Sequence, residues 1–146
     1  MGDRGNIVVK QPGGASAVYL YSHWGGSNLP KTLQDALKRG ESRWGDHPYL
    51  TRIIFCEMAK DNIEGTTGLG ISTSLCDNEH HFLVVDTEAQ EVALIHSEYN
   101  APHEVEGRQQ THLSFKEFCA FEFGPRKEPW DQLPQPVAMD SHVRQE

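Results

Sequence analysis

Two short runs near the start, Ile7-Val8-Val9-Lys10 and Ala17-Val18-Tyr19-Leu20-Tyr21, are rich in β-branched and aromatic residues and are separated by Gln11-Pro12-Gly13-Gly14. Such runs on either side of a Pro-Gly-Gly turn predict a β-hairpin. From residue 29 the apolar period becomes that of a helix. Leu29, Leu33, Ala36 and Leu37 fall on one face, Asn28 stands where a cap is needed, Pro30 suits the first turn and Gly40 ends the pattern. A second helix opens at Asp46-His47-Pro48. It carries Leu50, Ile53, Ile54 and Met58 on one side, with Tyr49, Phe55 and Cys56 widening the stripe, which predicts a central helix.

After Gly65-Thr66-Thr67-Gly68 come three β-like runs, at 69–75, 82–86 and 92–95, the last two joined by a hairpin loop at 87–90. An antiparallel meander is the simplest arrangement for them. Ser114-Phe115-Lys116-Glu117 has the form of a capping box and predicts a short third helix packed through Phe115, Phe118 and Cys119. The order ββααβββα predicts an α+β fold: one small domain, with a mostly antiparallel sheet of about five strands and two to three helices on one face. Four of the eight prolines lie between residues 125 and 136 and the end is polar. The chain therefore divides into a globular α+β domain at 1–123 and a Pro-rich polar tail at 124–146, expected to be disordered.

A chain of 146 residues is long enough for one core and too short for two. No apolar run approaches the ~20 residues that span a bilayer, so no membrane partner is expected. The opening residues show no basic stretch followed by an apolar one, which predicts a cytoplasmic protein, in the host cytoplasm if phage-encoded. A net charge of −8 with 13 dispersed lysines and arginines disfavours non-specific nucleic-acid binding and points to small molecules or basic protein surfaces as partners. Cys56, Cys76 and Cys119 form no CxxC pair, arguing against a disulfide framework or structural zinc; Cys56 and Cys119, set among apolar residues, read as buried thiols.

Candidate chemistry concentrates between Tyr19 and Asn28. A strand runs through Tyr21, Ser22, His23 and Trp24 into Gly25, Gly26 and a helix start. Free amides at a glycine turn before a helix favour phosphate or carboxylate, and Trp24 and Tyr21 could stack a base or sugar ring above them. Arg4, oriented by Asp3, and Arg52 are candidate anion partners. A second cluster, Asp77, Glu79, His80, His81 and Asp86 with His96 and Glu98, holds ligand types that suit zinc but matches no metal-site spacing. His112-Leu113-Ser114 gives a single His-x-Ser where two-histidine phosphoesterases need two copies, and Gly65 to Gly70 has phosphate-loop composition without its lysine. No cofactor is called for.

Met1-Gly2-Asp3-Arg4-Gly5-Asn6-Ile7, Val18-Tyr19-Leu20-Tyr21-Ser22-His23-Trp24-Gly25-Gly26 and Tyr49-Leu50-Thr51-Arg52-Ile53-Ile54-Phe55 together resemble an uncharacterised family of short proteins from phages and bacteria. The likeness covers roughly residues 1–95, including Gly68-Leu69-Gly70-Ile71-Ser72 and Val84-Val85-Asp86-Thr87. It brings no established activity. It implies a protein that acts on host pathways, for instance by binding nucleotide signals of antiviral defence. The leading expectation is thus a binding protein that captures a nucleotide-like ligand, with a homo-oligomer closing over it. A small hydrolase using His23, or His80, His81 and Asp86 around a metal, comes second. A protein-interaction module anchored by exposed Trp24 and Trp44 comes third.

Overall fold

The computed structural model describes residues 2–105 and 111–139. The hairpin forms where the pattern places it. Strand β1 (Gly5–Lys10) pairs antiparallel with β2 (Ala17–Ser22), with Val8 opposite Tyr19, and Gly13 and Gly14 both take positive φ in the connection, where a Cβ would be strained. Helices α1 (Leu29–Arg39) and α2 (His47–Ala59) follow, then β3 (Leu69–Ser72), β4 (Phe82–Asp86), β5 (Glu91–Ile95), β6 (Thr111–Ser114), α3 (Phe115–Ala120) and α4 (Pro129–Gln132). The fold is α+β, with a six-stranded mixed sheet in the order β3-β2-β1-β4-β5-β6.

The expected meander does not form. β3 pairs with β2 at the sheet edge, whereas β4 crosses to pair in parallel with β1. The physical reason lies in the side chains. Val8, Val9, Leu83 and Val84 are all buried, so β1 and β4 are apolar on both faces and belong in the middle of the sheet. β3, with Ile71 exposed, belongs at the rim. The sixth strand, β6, also went unforeseen, and it places His112 on an exposed sheet position.

Alternate strand residues feed two cores. Ile7, Val9, Leu20, Leu83, Val85 and Leu94 join Leu33, Leu37, Ile54 and Phe118 of the helices, while Val8, Tyr19, Phe82, Val84 and Ile95 form a second cluster closed by Val105, Leu75 and Tyr99. Helix α1, rather than α2, is the central one, touching β1, α2, α3 and α4. α2 packs on its flank and leaves Tyr49 exposed. Ser114 and Glu117 make the expected capping box at α3. Cys56 and Cys119 are half-buried rather than buried, and all three cysteines are free.

The tail is the largest correction. Trp130 and Leu133 sit in the main core, at 6% and 3% exposure. The Gln132 side chain donates to the carbonyls of Gly124 and Lys127 and closes the loop before α4. The prolines at 125, 129, 134 and 136 restrict the chain around this docked turn, so their density marks a tethered segment here. The docked segment therefore extends through Leu133, and Met139 still donates its N–H to the Glu98 carboxylate; the rest of the expected tail, 140–146 with His142, lies outside the described residues.

Trp130→Ala removes a buried ring and an indole hydrogen bond. It is expected to cost about 3–5 kcal/mol in urea unfolding. A loss below about 0.5 kcal/mol, the usual range for a surface substitution, would mean the segment does not dock.

Candidate functional site

The turn after β2 is held from inside. Ser22 is buried, and its Oγ accepts the Gly25 N–H at 2.9 Å. The Gly26 N–H donates to the Asp3 carbonyl at 2.7 Å, and the Ser27 N–H donates to the Asp3 carboxylate at 3.0 Å, joined there by the Ser27 hydroxyl. The Asn28 N–H returns to the Gly25 carbonyl, and Asn28 gives no side-chain cap. The helix N-terminus has attracted an anion, as its dipole favours, but that anion is the chain's own Asp3. The Gly25 and Gly26 amides are therefore occupied and do not form the expected phosphate cradle. Glycine at 26 is required by crowding: a Cβ there would lie 2.6 Å from the Asp3 carbonyl oxygen and 2.7 Å from the His80 ring.

His80 completes the arrangement. Its Nε2 lies 2.6 Å from the other Asp3 carboxylate oxygen, and its ring lies parallel to Trp130, 2° between planes and 5.8 Å between centroids. The Trp130 indole N–H donates to the Gly26 carbonyl at 2.8 Å, closing a ring of contacts through Asp3, Gly26, His80 and Trp130. Burial pushes the Asp3 carboxyl up, but hydrogen bonds from Ser27 and His80 outweigh it and hold the group below its ordinary value.

His81 lies beside this ring. Its Nδ1 accepts the Ser97 N–H at 3.1 Å, and its ring is 4.5 Å from that of His96 and edge-on to Trp130 at 6.4 Å. Burial first, then the neighbouring His96 and His80, push its pKa down. A cleft of about 170 Å³ opens here, lined among others by His80, His81, Ser97, Glu128, Trp130 and Asp131.

The other expected site residues do not converge on one ligand. Arg4 is engaged by Asp77 at 2.8 Å and Glu79 at 3.2 Å, so its guanidinium is no free anion fork, and Asp3 faces Ser27 and His80 instead of orienting it. The Tyr21 hydroxyl shares a hydrogen with His23 Nδ1 at 2.8 Å, and His23 meets Trp24 edge-on at 4.7 Å. Trp24 is exposed, with its ring against Gly68. Arg52 is exposed on α2, where it meets Cys56 one turn on, and joins none of these. Trp44, expected as an exposed anchor, is half-buried: its indole donates to the Leu37 carbonyl and its ring abuts Phe115. Among the described residues no three His, Cys, Asp or Glu side chains are placed to hold a metal ion. Asp86 lies at the far end of β4 from His81, where it accepts the Glu88 and Ala89 amides, so the His80, His81 and Asp86 metal cluster does not assemble.

Asp3 bonds Ser27 and His80 rather than Arg4, and Trp130 joins the site without having been among the residues expected there. Its signal was present: it is the one aromatic residue after Phe123, isolated in a polar stretch. A large ring of this kind brings much apolar area to bury, together with an N–H that finds a partner when buried.

Both shifted groups make the fold less stable in acid, in different pH windows. His81, lowered from 6.5, binds fewer protons folded than unfolded, so stability is lost as pH falls below about 6.5 towards its folded value. Asp3, lowered from 3.8, contributes stability that is full above that value and disappears as pH falls further. Urea midpoints measured against pH should show a first decline that His81→Gln removes and a second, more acid one that Asp3→Asn makes smaller, the Glu57 and Glu79 carboxyls, also held below their ordinary values, contributing the rest. A His81→Gln profile identical to wild type down to pH 5 would contradict the neutral, buried imidazole.

No protein-family model, curated protein or solved structure matches the chain, so the chemistry of the cleft itself is what bears on function.

Proposed function

We propose that this is a small-molecule binding protein and that its site is the cleft of His80, His81 and Trp130, not the glycine turn. The observation that carries this reading is the cleft itself: two imidazoles and an indole held in place by bonds to Asp3, Ser97 and Gly26 before any ligand arrives. Rigid walls reduce the ordering cost of binding.

Size and charge narrow the ligand. About 170 Å³ is close to a cavity that admits a benzene-sized group, so the cleft takes one ring rather than a whole nucleotide. Glu128 and Asp131 on the rim have no ion-pair partner among the described residues and would repel a phosphate. His81, accepting at Nδ1, carries its hydrogen on Nε2, while His80, donating from Nε2 to Asp3, keeps a lone pair on Nδ1 when neutral. One ring donor and one ring acceptor complement the amide-like edge of a heterocycle. A free nucleobase or nucleoside fits better than a nucleotide.

Among the described residues no serine, threonine or cysteine side chain bonds a histidine ring, which supports capture over turnover. Capture is also what the likeness to short phage-encoded proteins implies, since binding a host signal removes it.

Native mass spectrometry with matched sets of nucleobases, nucleosides and 5′-monophosphates tests this. Wild type should retain an intact base or nucleoside and bind its monophosphate at least about tenfold more weakly, a difference of about 1.4 kcal/mol. Ser97→Trp, which fills the cleft from an exposed position, should abolish the mass shift. Product masses would make the protein an enzyme, and a shift that survives Ser97→Trp would place the ligand elsewhere.

A further inference from the structure

Strands β4 and β5 pair as far as Phe82 and Ile95, and one step further along the same register His81 stands opposite His96. Their rings are 4.5 Å apart. Each imidazole receives a backbone N–H on Nδ1: Ser97 donates to His81 at 3.1 Å, and Glu98 donates to His96 at 3.2 Å. The turn that leaves β5 is thus fastened to two neutral rings, because a ring nitrogen that accepts an N–H carries no proton of its own.

A proton affects the two rings differently. An imidazolium donates from both nitrogens, so no ring flip restores an acceptor for the amide. His96 has an alternative partner: the Glu98 carboxylate lies 3.6 Å from its Nδ1, and a charge-assisted bond can replace the one lost. His81 has no carboxylate within ion-pair distance among the described residues. The titratable groups around it are Glu79 and His80 on its own segment, His96 and Glu98 after β5, and Glu128 and Asp131 on the segment that carries Trp130. Burial and the two imidazoles keep it neutral against these carboxylates. Ser97 lines the cleft, so the bond that fails in acid holds one of the cleft's own walls.

We propose that the bond from the Ser97 amide to His81 Nδ1 is an acid-sensitive latch on the cleft: the neutral ring holds the turn after β5 in place, and a proton on the ring releases it, so that a captured heterocycle is let go in acid. Histidine suits such a device because its charge changes in a pH range that leaves most other side chains as they are. The release of ligand rests on the binding reading above; the latch itself does not. A ligand that meets only the latched form loses affinity about tenfold for each pH unit below the point at which His81 takes its proton. That point lies below about pH 6.5.

NMR of the nitrogen-15-labelled full chain without ligand, from about pH 8 down to the onset of unfolding, tests the latch. The Ser97 amide resonance should move with the same midpoint as the His81 ring nitrogens. His81→Asn, whose Oδ1 takes the place of Nδ1 and binds no proton in this range, should hold the Ser97 amide still; if that variant fails to fold, the coincidence of midpoints in wild type decides. A Ser97 amide that stays fixed while the His81 ring titrates overturns the proposal, as does one that moves alike in wild type and His81→Asn. So does a His81 ring that takes no proton before the chain unfolds. Native mass spectrometry with uracil, whose amide edge does not titrate here, then reads the release: retention should fall about tenfold per pH unit below the His81 midpoint. Equal retention on both sides of that midpoint overturns the release. No retention at any pH counts against the binding reading, and the latch is then decided by the Ser97 amide alone.

Discussion

The Asp3 carboxylate ties together parts of the chain that the backbone alone would leave separate. One oxygen accepts from the backbone and hydroxyl of Ser27, and the other meets His80. Its backbone adds two more links, donating to the His23 carbonyl and accepting from Gly26. A partly buried carboxylate is unfavourable unless its lone pairs are satisfied, and here donors from the helix start and from the approach to β4 satisfy them. Trp130 extends the same network to the C-terminal segment through the Gly26 carbonyl. The close approach of Asp3 and His80 leaves no room for a side chain at position 26, so one glycine is fixed by packing.

The structure bears out those features of the sequence whose physics is local. The hairpin, α1 and the Ser114–Glu117 capping box are set by residues a few positions apart, and each formed where expected, although Asn28 does not supply the expected side-chain cap of α1. Features decided by distant partners were harder to read. Ser27 and Asp3 are separated by 24 positions, and His80 and Asp3 by 77. A glycine turn before a helix looks the same in sequence whether its amides face solvent or an internal carboxylate. Strand adjacency misled in the same way: contiguous runs suggested a meander, while two-sided burial of β1 and β4 placed those strands side by side. Proline density suggested a tail because composition averages over a window, whereas Trp130 and Leu133 dock as individual side chains.

The interactions that close the glycine turn to outside anions also build the cleft next to it. His80 is held by Asp3 and lies against Trp130, while His81 is turned by the Ser97 amide towards His96. Arg4 is neutralised by Asp77 and Glu79, leaving Glu128 and Asp131 to set the sign of the cleft's field. On the reading proposed above, the cleft would meet the edge of a small ring rather than a phosphate. The exposed Trp24 belongs to a different surface, beside the β3 edge, and has no part in the cleft.

Amide hydrogen exchange at Gly26 and Ser27, followed by NMR in the wild type and in Asp3→Asn, tests the central constraint most directly. If Asp3 holds the turn, both amides are protected well above the exposed Ala15 and Ser16 amides of the β1–β2 connection, and Asp3→Asn accelerates exchange at Ser27. Fast exchange at both positions in the wild type, together with resonance shifts when inorganic phosphate is added, would show that the turn is open to anions and would contradict the account.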